Sequence, residues 1–236
     1  MQPDRYTSTP PAASRASAID AGLRSHLQSI YNRMTMGVLV TAVVAYIVAN
    51  TPGLMQLFLG GPQAYVIMFA PLALVWFGFN PMTMSSGKLR ISFLLLSVLY
   101  GISLSAICYA YAKEDIARAF FITSAMFAGI SIFGYSTKKN LDGMGTFAVM
   151  GIIGAIVLSV INLFVQSSLL MNVISGVSII AFAGMTAWQT QSMKEMYSAA
   201  NSAESNSRMA WAAALNLYIS FIALFTHILR LVGSNR

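Results

Sequence analysis

Charge is what this sequence has least of. Only 9% of its 236 residues are Asp, Glu, Lys or Arg, against roughly 25% in a soluble domain. Seven are acids, one residue is cysteine and two are histidine. So little charge excludes a soluble enzyme domain and a disordered chain. One cysteine, Cys108, excludes an intramolecular disulfide and with it a secreted disulfide scaffold. His26, His227 and Cys108 are too few and too scattered to hold zinc or haem. No basic stripe with interleaved aromatics is present, so no nucleic-acid partner is expected.

The acids are also badly placed for membrane chemistry. Asp4, Asp20, Glu114, Asp115, Asp142, Glu195 and Glu204 all lie outside the apolar runs. Proton relays and cation paths use carboxylates inside spans, each costing at least about 2.5–3.5 kcal/mol to insert. The lysines sit at or beyond the ends of the runs, so none is placed for a retinal Schiff base. No elbow motif surrounds a serine. Without a complete set of catalytic roles, no enzymatic activity and no cofactor are expected.

What fills the chain instead is apolar sequence: 57% of residues are hydrophobic. Runs of about 20 apolar residues recur, the length that crosses a ~30 Å hydrocarbon core at 1.5 Å per residue. They predict an all-α integral membrane protein with seven spans in a bundle over residues 34–233, its main partner the lipid bilayer. The spans fall near Met34–Asn50, Pro62–Phe79, Ile91–Ala112, Ile116–Thr137, Thr146–Gln166, Leu169–Gln191 and Met209–Val232. Pro71 is expected to kink the second. Residues 1–18, rich in Pro, Ser, Thr and Ala, read as a disordered tail. Over residues 19–33 the apolar positions Leu23, Leu27 and Ile30 lead into Met34 along one helical face. That pattern predicts an amphipathic helix on the membrane surface.

Basic residues set the expected orientation. With the N-terminus cytoplasmic, Arg5, Arg15, Arg24, Arg33, Lys88, Arg90, Lys138, Lys139, Lys194 and Arg208 fall inside, ten in all. Lys113, Arg118, Arg230 and Arg236, four in all, fall outside. This split favours a cytoplasmic tail and a periplasmic C-terminus.

Neutral polar residues remain within the spans. On the last one, Asn216, Ser220, Ala223, His227 and Arg230 share a face. Such a stripe reads as a packed interface or as a solvated pathway, the first being the commoner use of polar residues between spans. His227 is expected to be a satisfied interfacial histidine. Gly151, Ala155 and Ser159 recur every four residues on the fifth span, as in a close helix contact. After the fourth span comes a loop with Gly134, Tyr135, Thr137, Lys138, Lys139, Asp142, Gly143 and Gly145. Two lysines at a helix C-terminus complement its dipole and mark a cytoplasmic turn.

That loop resembles the signature of the Bax inhibitor family, the transmembrane Bax inhibitor motif proteins, in its YccA-like bacterial branch. The similarity extends through Gly101-Ile102-Ser103-Leu104-Ser105, Ala119-Phe120-Phe121-Ile122-Thr123 and Asn162-Leu163-Phe164. It continues through Lys194-Glu195-Met196-Tyr197 and Ala214-Leu215-Asn216-Leu217-Tyr218. The resemblance implies six helices packed around a central C-terminal helix in the bacterial inner membrane. It also implies two candidate functions: a pH-sensitive calcium leak, and modulation of the membrane protease FtsH through binding.

The leak is attributed in the family to paired aspartates on the last two spans near an arginine after the second. Those positions fall here on Gln189, Ser220 and Asn80. Losing one charge of a buried set costs about 3–5 kcal/mol, so joint neutralisation is physically coherent. The resemblance therefore implies a protein-interaction role ahead of a titrating leak.

Overall fold

Prolines punctuate the first third of the chain. Pro10-Pro11 precede a stretch with no further proline until Pro52, and that stretch forms one long helix, α1 (Ala12–Ala49). The computed structural model describes residues 12–233, and only the backbone of residues 12–20. Seven more helices follow: α2 (Pro52–Leu59), α3 (Gln63–Gly78), α4 (Ser86–Ala110), α5 (Lys113–Ser136), α6 (Asp142–Val165), α7 (Ser168–Met196) and α8 (Ala203–Val232). There is no strand among the described residues. Six helices, all but α2 and α3, are long and apolar enough to cross a membrane.

The N-terminal third departs from expectation in two places. α1 is continuous through residues 12–33, so residues 12–18 are helical where a tail was expected, and residues 1–11 lie outside the described part. The stripe predicted to lie on the membrane surface instead packs inward. Leu27, Ile30 and Met34 are buried in the core, and Leu23 packs against it. An apolar stripe on a helix is satisfied equally by a bilayer surface or by neighbouring helices, and the helices packed against α1 are α4, α8 and, less extensively, α7.

The second departure concerns the second span. Pro71, where a kink was expected, lies inside α3. The unexpected feature is a 76° bend between α2 and α3, where Gly60, Gly61 and Pro62 stand together. Two glycines carry a high entropic cost in a helix and proline lacks the N–H that would continue it. At 16 residues, α3 alone is about 24 Å long, short of a ~30 Å core.

Side chains tie the helix ends into two groups. At one end, Arg33 of α1 donates to the Ser207 carbonyl (2.8 Å) and to its hydroxyl (3.2 Å), while its guanidinium lies 4.3 Å from the Trp211 ring. Glu204 accepts from the Ser86 N–H (2.6 Å) and hydroxyl (2.7 Å), placing a carboxylate at the N-terminus of α4. Arg208 donates to the Met82 carbonyl (3.1 Å). These bonds gather the starts of α4 and α8 beside the charged middle of α1. At the other end, Arg230 lies beside Met171 and Gly233 packs on Tyr111.

The core collects on α8. In its apolar stretch 61% of residues are buried, against 17–33% in the other five spans. It packs against α1, α4, α5 and α7. Tyr218 is fully enclosed, with Phe93 and Tyr100 edge-on to its ring at 5.4 and 5.7 Å. Its hydroxyl meets Thr41 Oγ1 at 2.7 Å, and Thr41 donates its one proton to the Ser97 carbonyl at 2.9 Å. Tyr218 is therefore the donor to Thr41, and a single chain of hydrogen bonds joins α8, α1 and α4. On the far side, Gly151 and Ala155 of α6 pack on α7, with Gly151 facing Ala181, as the small-residue repeat predicts.

Direction in this chain sets an order of mutational costs. Thr41→Val removes the Thr41 acceptor from the buried Tyr218 hydroxyl and should cost about 1–3 kcal/mol. Tyr218→Phe leaves Thr41 still bonded to Ser97 and should cost less. The double variant should recover part of the Thr41→Val loss. Thermal unfolding in detergent micelles reads the order; Tyr218→Phe proving the costlier change would reverse the assigned direction.

Candidate functional site

Two polar constellations lie on α7. The first is the pair highlighted by the sequence. Ser220 is buried on α8 and its hydroxyl donates to Gln189 Oε1 at 3.1 Å. This joins the two last spans through an amide and a hydroxyl. Neither group carries charge, so the contact leaves no buried ion to compensate.

Asn80 does not reach them. It is exposed in the turn after α3, where its Oδ1 accepts from the Met82 N–H at 3.0 Å. The cause is the placement of α3, which packs on α4 and α2 and is held away from α7. The position therefore closes its own turn.

The stripe on α8 also divides. Ser220 is buried, His227 is half-buried and stacked at 6.5 Å on Phe182, and Asn216 and Arg230 are exposed. His227 was expected to be satisfied, yet its Nδ1 is buried without a hydrogen-bond partner. Helical spacing put these residues on one face, but coverage of that face by α7 is uneven along its length.

The second constellation is the signature loop, and it is docked onto the end of α7. Gln191 donates to the Lys139 carbonyl (2.8 Å) and accepts from the Leu141 N–H (2.8 Å), bridging both sides of the turn. Lys194 donates to the Tyr135 carbonyl (2.6 Å), with its ammonium 5.3 Å from the Tyr135 ring. The Trp188 indole donates to Asp142 at 3.0 Å. Within the loop, Thr137 Oγ1 accepts from the Lys139 N–H at 3.3 Å, and Lys138 is exposed.

Two glycines of this loop are explained by the same docking. A Cβ on Gly134 would meet the backbone of Ala187, and one on Gly145 would press into the Trp188 ring. Both permit α7 to lie close against α5 and α6. Sequence reasoning had marked the loop and the Lys194–Tyr197 exit separately. It missed Trp188 and Gln191 as the anchors between them, because nothing in their spacing shows which turn they face.

Among the described residues no three of His, Cys, Asp or Glu come together. The arrangement supplies hydrogen bonding and close packing, and Glu114, Asp115, Asp142, Glu195 and Glu204 each lie in the first or last turn of a helix.

Comparison with known proteins agrees with the loop. The family profile described as "Inhibitor of apoptosis-promoting Bax1" matches residues 23–236. An uncharacterized protein of Rickettsia prowazekii is 38% identical over 98% of both chains. One of Caulobacter vibrioides is 35% identical over 98% of this chain and 97% of its own. The inner membrane protein YbhL of Escherichia coli is 34% identical over 92% of this chain and 94% of its own. A profile match across nearly the whole chain, with relatives of matching length, leads to one conclusion: this multi-spanning membrane protein belongs to the Bax inhibitor family.

Proposed function

We propose that this chain is a non-enzymatic inner-membrane protein that acts by binding other proteins, as a modulator of the FtsH protease, and not as a pH-sensitive calcium leak. One observation carries the preference. Where the family's resemblance places titrating carboxylates, Ser220 and Gln189 hydrogen-bond as neutral groups. Two close carboxylates sharing a proton can sense pH near neutrality, whereas an amide and a hydroxyl do not titrate there. Calcium takes six to eight oxygen ligands, commonly carboxylates, and one neutral pair is a poor site for it.

The inner-membrane assignment draws on the printed name of the Escherichia coli relative. In this reading the bent α2–α3 pair makes one crossing, giving seven, with α8 as the central helix. Support comes from Ser103, in the last third of α4, donating to the carbonyl of Ile67, in the first third of α3, at 2.9 Å. The pair thus descends beside α4 from the end where α1 finishes to the end where α4 begins.

The N-terminus is cytoplasmic in the same reading. Arg24, Arg33, Lys88, Arg90, Lys138, Lys139, Lys194 and Arg208 lie towards one end, and Lys113, Arg118 and Arg230 towards the other. Such asymmetry follows the positive-inside bias. The docked loop and the end of α7 then form a rigid cytoplasmic surface suited to a partner.

Reporters test the topology: one fused before Asp4 should be cytoplasmic and one after Arg236 periplasmic, and both on one side would contradict seven crossings. Affinity purification from cross-linked native membranes tests the partner. Recovery of FtsH with the tagged protein is the expected result; the protein emerging without FtsH would contradict the proposal.

A further inference from the structure

α1 and α5 line opposite walls of a lateral crevice of about 760 Å³, within the range of small-ligand sites. From Arg24 to Val38 its α1 wall covers fourteen residue steps, about 21 Å. One leaflet of hydrocarbon is about 15 Å, half of a ~30 Å core, so the crevice matches one leaflet plus part of the headgroup layer.

Its chemistry changes along that length. At one end are Arg24, Gln28, Tyr31 and Tyr135; at the other are Val38, Phe120, Phe127 and Phe221. Between them are the hydroxyls of Ser131 and Thr190. Ser131 is 7% exposed and Thr190 is 1% exposed, and neither hydroxyl has a hydrogen-bond partner within the protein. A buried hydroxyl left unpaired is costly, and two such hydroxyls among the lining residues, one on α5 and one on α7, mark a place where an acceptor is missing. Among the residues whose side chains are described, no Asp or Glu lines the crevice.

We propose that this crevice binds one anionic glycerophospholipid, with its phosphate at Arg24, its ester carbonyls accepting from Ser131 and Thr190, and an acyl chain running to Phe221. The order of cation, hydroxyls and aromatic floor repeats the order of phosphate, esters and chain in such a lipid. A neighbouring helix would supply the apolar filling but has few free acceptors, since its own carbonyls are spent within it. A second copy of this chain has the same limitation. Anionic lipid is further favoured by the Arg24 guanidinium at the rim.

Native mass spectrometry of the full-length protein, from nanodiscs holding equal phosphatidylglycerol and phosphatidylethanolamine, tests the site. The wild type should retain one phosphatidylglycerol in preference. Arg24→Gln, on the exposed rim, should remove the headgroup preference. Ser131→Val and Thr190→Val should each weaken retention by roughly three- to tenfold, the loss of one hydrogen bond. Soluble glycerol phosphate should not compete, which separates a lipid from a free phosphate. Thermal unfolding of each variant in lipid-free detergent should match the wild type. Retention unchanged by Arg24→Gln, equal retention of the two lipids by the wild type, or a lipid-free dimer would overturn the proposal.

Discussion

Polar groups inside a bilayer have no water to turn to, and the route from Tyr218 through Thr41 to the Ser97 carbonyl is how this chain meets that constraint at its centre. Three helices distant in sequence share one chain of hydrogen bonds. Around it the rings of Phe93 and Tyr100 fix the aromatic body of Tyr218. Once α8 is held this way, α1 and α4 have a common partner, and the residues that follow Tyr218 on α8 are carried to α7.

The same constraint explains what α7 does. Its buried contact with α8 is made by Gln189 and Ser220, which satisfy each other without charge. Its charged and ring-bearing residues, Trp188 and Lys194, are used at the helix end to hold the loop between α5 and α6. Polarity is thus divided between directions of one helix: Gln189 faces α8, while Trp188, Gln191 and Lys194 face the loop. The bonds from Arg33, Glu204 and Arg208 lie at the same end of the bundle.

Much of this was legible in the residues. The helices from α4 onward begin and end within a few residues of the apolar runs, since twenty apolar residues in succession allow few alternatives. The N-terminal third was read less well. The stripe of Leu27, Ile30 and Met34 has the same periodicity whether its partner is a headgroup layer or α8. Pro71 drew attention from the Gly60–Pro62 break, where three weak helix formers act together. The pairing of Gln189 with Ser220 was expected from the family's pattern, but the isolation of Asn80 depends on where α3 packs. Asn216 shows the limit of helical-face reasoning, because periodicity fixes a direction and not the length over which a neighbour covers it.

Neutrality at the α7–α8 contact is the claim on which the functional account turns, and calcium flux tests it most directly. The purified protein reconstituted in calcium-loaded liposomes should show no flux that changes between about pH 6 and 8, because no group at that contact titrates in this interval. Robust calcium release that switches with pH in the unmodified protein would contradict the account and place the sensor elsewhere, with His227 the first residue to replace.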